Sequence, residues 1–190
     1  MANTIHPKSR AEWRAWLKSH MNQTEGVWLI SFKKATGKDR FEYAEAVEEA
    51  LCFGWVDSKP RKLDEERSML YFAPRKPRTG WSKPNKERVA RLIAAGKMTP
   101  AGLAKIEAAK QDGSWHKLDG VEALEVPPDL LQALAKHANA QANWDAFPRS
   151  VKRGILEWII NAKKTETRAK RIEETATSTA KNIRANQWRR

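Results

Sequence analysis

Cysteine is nearly absent from this sequence, which has one among 190 residues. A single cysteine cannot close an internal disulfide, so the sequence does not belong to the disulfide-stapled class of small secreted domains. Long apolar runs are missing too. No segment is long and apolar enough to span a membrane, and the N-terminus lacks the shorter apolar run of a secretory signal. We therefore expect a cytoplasmic protein that does not insert into a membrane.

Histidine is also scarce, and its four copies are scattered along the chain. Zinc sites need histidine and cysteine ligands at short, regular spacings, and no such spacing occurs. The glycine-rich loops that bind nucleotides and the Gly-x-Ser-x-Gly nucleophile motif are missing as well. We expect no bound metal and no cofactor. These absences leave open whether the protein is an enzyme.

Positive charge is what the chain has in excess, with a formal net charge of +13 at pH 7. The excess lies in two basic blocks, residues 59–97 and residues 148–190, each with 12 basic and 4 acidic side chains. Such blocks attract an anionic small molecule or an acidic macromolecule, and clustered cations favour weak, non-specific binding of nucleic acid. The alternative is a surface that only keeps the protein soluble.

Hydrophobic periodicity predicts an α+β fold, with a small antiparallel sheet and helices in the N-terminal half and a helical C-terminal half. Three segments rich in β-branched and aromatic residues predict the strands: GVWLISFKK, WVDSK and SMLYFAP. The last helix is predicted over residues 165–186. A change in composition near residue 98 predicts an α+β part over residues 1–98 and a helical part over residues 99–190, packed as one unit.

The segment ALCFGWVDSKPRK, residues 50–62, places the lone cysteine beside a carboxylate and a basic run. Cys52 falls at the predicted C-terminal end of a helix, where the helix dipole raises a thiol pKa, so we interpret it as structural. Asp57 and Lys59 follow on a predicted strand. Asp57 is a candidate for a structural ion pair or, alternatively, for the acid or base of an enzyme that acts on a small anionic substrate.

The segment FAPRKPRTGWSKPNKERV, residues 72–89, combines several cations with an aromatic ring and a predicted helix start. Free N–H groups at a helix N-terminus attract anions, and a tryptophan ring offers a stacking surface. The predicted ligand-binding residues are Arg75, Lys76, Trp81, Ser82, Lys83 and Asn85, with Asp57 and Lys59 brought toward them by the preceding strand. The alternative is a stiff surface connection with its tryptophan in the core.

Five longer runs carry a resemblance to a known family: ALCFGWVDS, APRK, WSKPNKERV, GKMTPAGL and AKKTETRAKRI. They resemble the bacterial YdeI/OmpD-associated family of bacteriocin-protection proteins, and the resemblance extends from Trp16 to Trp188. It implies a role in stress tolerance, against bacteriocins or cationic antimicrobial peptides, and it implies no catalytic residues. Because a protein of charge +13 repels cationic peptides, we expect an indirect, intracellular role rather than sequestration.

Overall fold

The structure is a computed structural model that describes residues 3–186. Trp188 and the other residues of the C-terminal tail lie outside this range. The chain divides into two compact units, Met1–Lys117 and Leu118–Arg190. Within the described residues, the first unit contains a four-stranded sheet and four α-helices, and the second contains five α-helices. This confirms the predicted α+β fold with a helical C-terminal half.

The elements of the first unit are, in chain order, β1 (Thr4–Ile5), α1 (Arg10–Ser19), β2 (Val27–Phe32), a short 3-10 helix (Lys34–Thr36), α2 (Tyr43–Cys52), β3 (Trp55–Lys62), β4 (Arg67–Pro74), α3 (Lys83–Ala94) and α4 (Pro100–Gln111). The strand order is β1-β2-β4-β3, with β1 parallel to β2 and the other pairs antiparallel. The sequence predicted the three antiparallel strands but not β1, because two residues are too few to show a periodicity.

The core of the first unit is formed by one face of the sheet and the apolar sides of helices α1 to α4. Trp13 of α1 is completely buried, with its ring centroid 5.3 Å from that of Phe72 on β4. Its indole N–H donates to the carbonyl of Ala46 on α2 at 3.1 Å. One side chain thus joins both helices to the sheet, and its indole N–H is not left unpaired in the core.

A bulge interrupts β3 opposite β4. Asp57 pairs with Phe72, whereas Pro60 pairs with Leu70, so β3 carries one extra residue between these two pairs. A bulge of this kind bends the strand and redirects the side chains beside it. Asp57 and Pro60 consequently belong to the face that helices α1 and α2 cover further along the sheet.

Helix α4 is fixed to the end of α2. Thr99 caps α4 by accepting from the N–H of Gly102 at 3.4 Å, and its own hydroxyl donates to the carbonyl of Cys52 at 2.6 Å. The backbone N–H of Thr99 donates to the same carbonyl at 3.1 Å. The boundary predicted at residue 98 therefore falls between α3 and α4, inside the first unit.

The second unit consists of α5 (Asp119–Ala123), α6 (Pro128–Ala135), α7 (Ala140–Ala146), α8 (Arg149–Ile160) and α9 (Thr165–Ala180). Its core includes Trp144, Ile155 and Ala176, all almost fully buried. Helix α9 ends earlier than predicted: Asn182 adopts a left-handed φ of 55°, and the N–H of Ile183 donates to the carbonyl of Ser178 at 2.9 Å. Asparagine tolerates this conformation and closes the helix much as glycine does.

Candidate functional site

Arg75 is buried immediately after β4, with 5% of its surface exposed. The chain positions it through the backbone: its N–H donates to the carbonyl of Gly54 at 2.9 Å. Gly54 adopts a left-handed φ of 75° in the turn between α2 and β3, a conformation that favours glycine. The turn after α2 therefore holds the start of the basic segment against the core.

The guanidinium group of Arg75 lies over a tryptophan ring and lacks an acidic partner. Its carbon is 3.8 Å from the centroid of the Trp81 ring, and Trp81 is itself buried. Nη2 donates to the carbonyl of Gly80, whereas Nε and Nη1 have no hydrogen-bond partner. The three N–H donors on Nε and Nη1 are thus unsatisfied. No carboxylate in the described part of the chain forms an ion pair with it.

Burial lowers the pKa of Arg75 to about 10, and the more distant charge of Asp57 opposes this change. The group therefore remains a cation at neutral pH. A buried cation without a counter-ion costs several kcal/mol of desolvation, so natural proteins seldom retain one. The ring of Trp81 compensates only part of this cost, since a cation–π contact contributes about 1–2 kcal/mol.

A small cavity of about 60 Å³ opens beside this guanidinium. Its charged lining residues are four cations and one acid: Arg75, Lys76, Arg78, Lys105 and Asp112. The carboxylate of Asp112 is already hydrogen-bonded within the protein, because it accepts from the backbone N–H of Ser114 at 2.8 Å and from that of Arg78 at 3.0 Å. Hydrogen bonds from Ser114, that of its side chain first, and from the backbone of Arg78 lower the pKa of Asp112 and keep it ionised. The cavity is nevertheless net positive.

The structure brings Arg75, Lys76 and Trp81 together around this cavity. The other residues predicted beside them are not part of its lining: Ser82, Lys83 and Asn85. Ser82 stands at the N-cap position of α3, but its side chain makes no capping hydrogen bond. The side-chain oxygen of Asn85 accepts from Arg88 at 3.1 Å. The helix start therefore lies beside the cavity rather than within it.

Three charged lining residues were missing from the predicted site: Arg78, Lys105 and Asp112. Arg78 was part of the same basic segment, but its unusual backbone φ of 60° could not be foreseen. Lys105 and Asp112 come from α4 and its C-cap. No local pattern links them to the basic segment, because their proximity depends on the attachment of α4 to α2.

Asp57 and Lys59 are not part of this cavity lining. Asp57 accepts a hydrogen bond from the hydroxyl of Tyr43 at 2.8 Å and lines a separate cleft. Partial burial, together with this hydrogen bond, raises the pKa of Tyr43 to about 12. Lys59 is exposed at the bulge of β3. Asp57 forms no ion pair among residues 3–186, so its described partner is a phenol rather than a cation.

Cys52 is the last residue of α2 and is completely buried. Burial is the largest cause that raises the pKa of its thiol. Among the described residues, no group of three or more metal-ligating side chains surrounds it or lies elsewhere. The structural role that we inferred from its helix end agrees with this environment.

We expect the native thiol to react slowly with a thiol reagent. At pH 7.5, labelling of Cys52 by an aromatic disulfide reagent should be at least ~100-fold slower than in urea, because the thiol is protonated and covered. Cys52→Ala should change stability by only about 1–2 kcal/mol. Labelling of the folded protein as fast as that of the unfolded chain would show that the thiol is reactive.

Comparison with known families divides the chain much as its contacts do. Residues 5–105 match a family described as a domain of unknown function, DUF8412. The chain belongs to the DUF8412 family. Residues 123–182 match the family described as bacteriocin-protection, YdeI or OmpD-associated, which confirms the predicted resemblance over these residues and links the chain to bacteriocin protection. No curated protein and no solved structure matched the chain significantly.

The two matches also assign the motifs that carried the resemblance. AKKTETRAKRI lies within the YdeI/OmpD-associated match, whereas ALCFGWVDS, APRK, WSKPNKERV and GKMTPAGL lie within the DUF8412 match. The cavity beside Arg75 therefore involves mainly DUF8412 residues. For membrane association, no helix within residues 3–186 has both the length and the apolar character to cross a bilayer.

Proposed function

We propose that the first unit binds a small anionic group, a carboxylate or a phosphate, in the cavity beside Arg75. The observation that carries this proposal is a buried guanidinium whose Nε and Nη1 have no partner. An anion would supply both the missing acceptors and the missing counter-charge. Charge-assisted hydrogen bonds from arginine to these groups are about twice as strong as neutral ones.

The size of the cavity limits what can enter it. Its volume of about 60 Å³ is far below the ~300–1,000 Å³ of a pocket that encloses a whole small-molecule ligand. Only the anionic end of a ligand fits beside Arg75, while the rest stays outside. There the exposed cations Lys76 and Arg78 add to the attraction. The ligand is thus an anionic metabolite or the acidic group of a larger partner.

We place this binding activity in the cytoplasm, within a stress-tolerance role linked to bacteriocin protection. The net charge of +13 disfavours direct capture of cationic peptides. Recognition of an intracellular anion is compatible with this charge and makes the protective role indirect. An enzyme with Asp57 as acid or base is the weaker candidate, because Asp57 does not line the anion cavity.

Anion-dependent thermal unfolding tests the proposal. Phosphate, sulfate and acetate are titrated at constant ionic strength, with sodium chloride as the reference. A ligand that binds only the folded state at 100 times its Kd stabilises it by about 2.7 kcal/mol. We expect at least one anion to raise the Tm of the wild type. Arg75→Met should abolish the response, and Arg75→Lys should weaken affinity about 10-fold because the planar fork is lost.

Arg61→Met is the matched control, since Arg61 is an exposed arginine of the same basic block outside the cavity. It should respond like the wild type. An absent response to every anion, or an equal response in Arg75→Met, contradicts the proposal. A DNA oligonucleotide forms a separate arm: salt-sensitive binding that survives Arg75→Met would reveal non-specific binding by the basic blocks instead.

A further inference from the structure

A second and larger cleft in the first unit has no part in the anion site. Its volume is about 440 Å³, within the ~300–1,000 Å³ range of small-molecule pockets. It lies at the end of the sheet face that carries Leu29 and Ser31 on β2 and Ser68 and Leu70 on β4. The sheet forms its floor, and residues 40–43, which lead into α2, form a wall.

The pairing of the strands places unused hydroxyl groups on this floor. Ser31 lies directly opposite Ser68, so the two side chains are neighbours on one face. The bulge in β3 brings Ser58 to the same cleft. None of these three hydroxyls makes a side-chain hydrogen bond with the described part of the protein. Each can therefore both donate to and accept from a ligand.

A carboxylate completes the polar part of the lining. Asp57 accepts from the hydroxyl of Tyr43 through one oxygen, Oδ2, at 2.8 Å. Its other oxygen, Oδ1, accepts no hydrogen bond from residues 3–186. It can therefore accept one from a ligand hydroxyl. The same bond holds the ring of Tyr43, which is 53% exposed, at the cleft. An exposed but fixed aromatic ring is a flat surface against which an apolar ligand face can pack.

The charges of the cleft oppose a strongly charged ligand. Arg40 and Glu42 neutralise each other, because Nη2 of Arg40 is 2.9 Å from both carboxylate oxygens of Glu42. Asp57 remains as a single negative charge and repels an anion. A cation is opposed in turn by nearby arginines, since the charges of Arg75 and Arg88 reach Asp57 and Tyr43 respectively. A neutral ligand avoids both penalties.

We propose that this cleft binds a neutral, hydroxyl-rich small molecule of about monosaccharide size. The hydroxyls of Ser31, Ser58 and Ser68 and the carboxylate of Asp57 exchange hydrogen bonds with the ligand hydroxyls. Leu29, Leu70 and the ring of Tyr43 contact its C–H face. The anion cavity is lined by other side chains, and Arg75 influences this cleft only through the charge that it exerts on Asp57.

Heteronuclear NMR titration tests the proposal with defined probes: glucose, N-acetylglucosamine, ribose and inositol, each neutral. We expect at least one to shift the amide signals of residues 31, 58 and 68 saturably. The double variant Ser31→Ala/Ser68→Ala should weaken that affinity at least ~10-fold, as should Asp57→Asn. Ser150→Ala, an exposed serine of the second unit, is the control and should change nothing.

The charged analogues of the same sugars decide the ligand class. Glucuronate and glucosamine should each bind at least ~10-fold more weakly than the neutral probe. A stronger response to either, or to a free nucleoside, would show that the cleft selects another chemistry. No saturable shift with any neutral probe, or shifts that persist in the double serine variant, would overturn the proposal.

Discussion

Glu49→Gln should lower the free energy of unfolding by about 3 kcal/mol. Glu49 is 3% exposed, and its two carboxylate oxygens accept from Nε of Arg10 at 2.6 Å and from Nη1 of Arg14 at 2.5 Å. Removal of one partner from a buried ion pair costs about 3–5 kcal/mol. Here Arg14 loses its carboxylate partner, whereas Arg10 keeps its ion pair with Glu48. Both arginines are about one third exposed and partly regain water, which places the expected loss at the lower end.

Glu48→Gln provides the matched control. Glu48 precedes Glu49 on the same helix, and its ion pairs with Arg10 at 3.1 Å and Arg91 at 3.6 Å are closer to solvent. Ion pairs of this kind contribute about 0–1 kcal/mol. Urea unfolding followed by tryptophan fluorescence measures both variants. Equal midpoints for Glu49→Gln and Glu48→Gln would show that the buried carboxylate is no more important than its neighbour.

Local signals in the sequence were sufficient to place most helices. Ser9 stands three residues before Glu12, a spacing that predicts an N-cap, and its hydroxyl accepts from the N–H of Glu12 at 3.2 Å. Thr99 followed by Pro100 is a typical helix start, and α4 begins there. Capping depends on residues only three positions apart, so it can be predicted from the sequence without any knowledge of the tertiary structure. The ends of elements that depend on such pairs were predictable for that reason.

The candidate sites depend on distances that no local pattern contains. The basic segment predicted an anion site at the start of α3, yet the cavity lies beside Arg75 and is completed by Lys105 of α4. The burial of Arg75 follows from the packing of Trp81, which was weighed as a core residue or a stacking surface. In the structure Trp81 is buried and also carries the guanidinium on its ring. Both interpretations describe part of its role.

The cleft at Asp57 shows the same limit for strands. Alternation along β2 predicts which side chains share a face, but it cannot reveal that Ser31 stands opposite Ser68. That pairing requires the register, and the position of Ser58 requires the bulge in β3. Register is set by the whole sheet and its turns rather than by one strand. Three separate serines therefore gave no signal of a shared site in the sequence.

Gly102→Ala should destabilise the first unit by about 2 kcal/mol. Gly102 lies in the first turn of α4, where an added Cβ would be 2.3 Å from the carbonyl oxygen of Cys52 and 2.8 Å from its carbonyl carbon. That carbonyl cannot move freely, because it accepts from both the N–H and the hydroxyl of Thr99. Overpacking against a fixed group costs about 3 kcal/mol, and the better helix propensity of alanine returns only about 1 kcal/mol.

Gly154→Ala is the same substitution where space is available, and it should have the opposite sign. An added Cβ at Gly154, within α8, meets nothing within 4 Å. Only the propensity difference then remains, so we expect a gain of about 0.5–1 kcal/mol. Thermal and urea unfolding of both variants give the comparison, with circular dichroism to verify helix content. A destabilised Gly154→Ala would contradict the open space at this position. A Gly102→Ala protein as stable as the wild type would mean that the backbone contact between α4 and Cys52 can shift at little cost. The same contact could then not hold Lys105 beside the anion cavity.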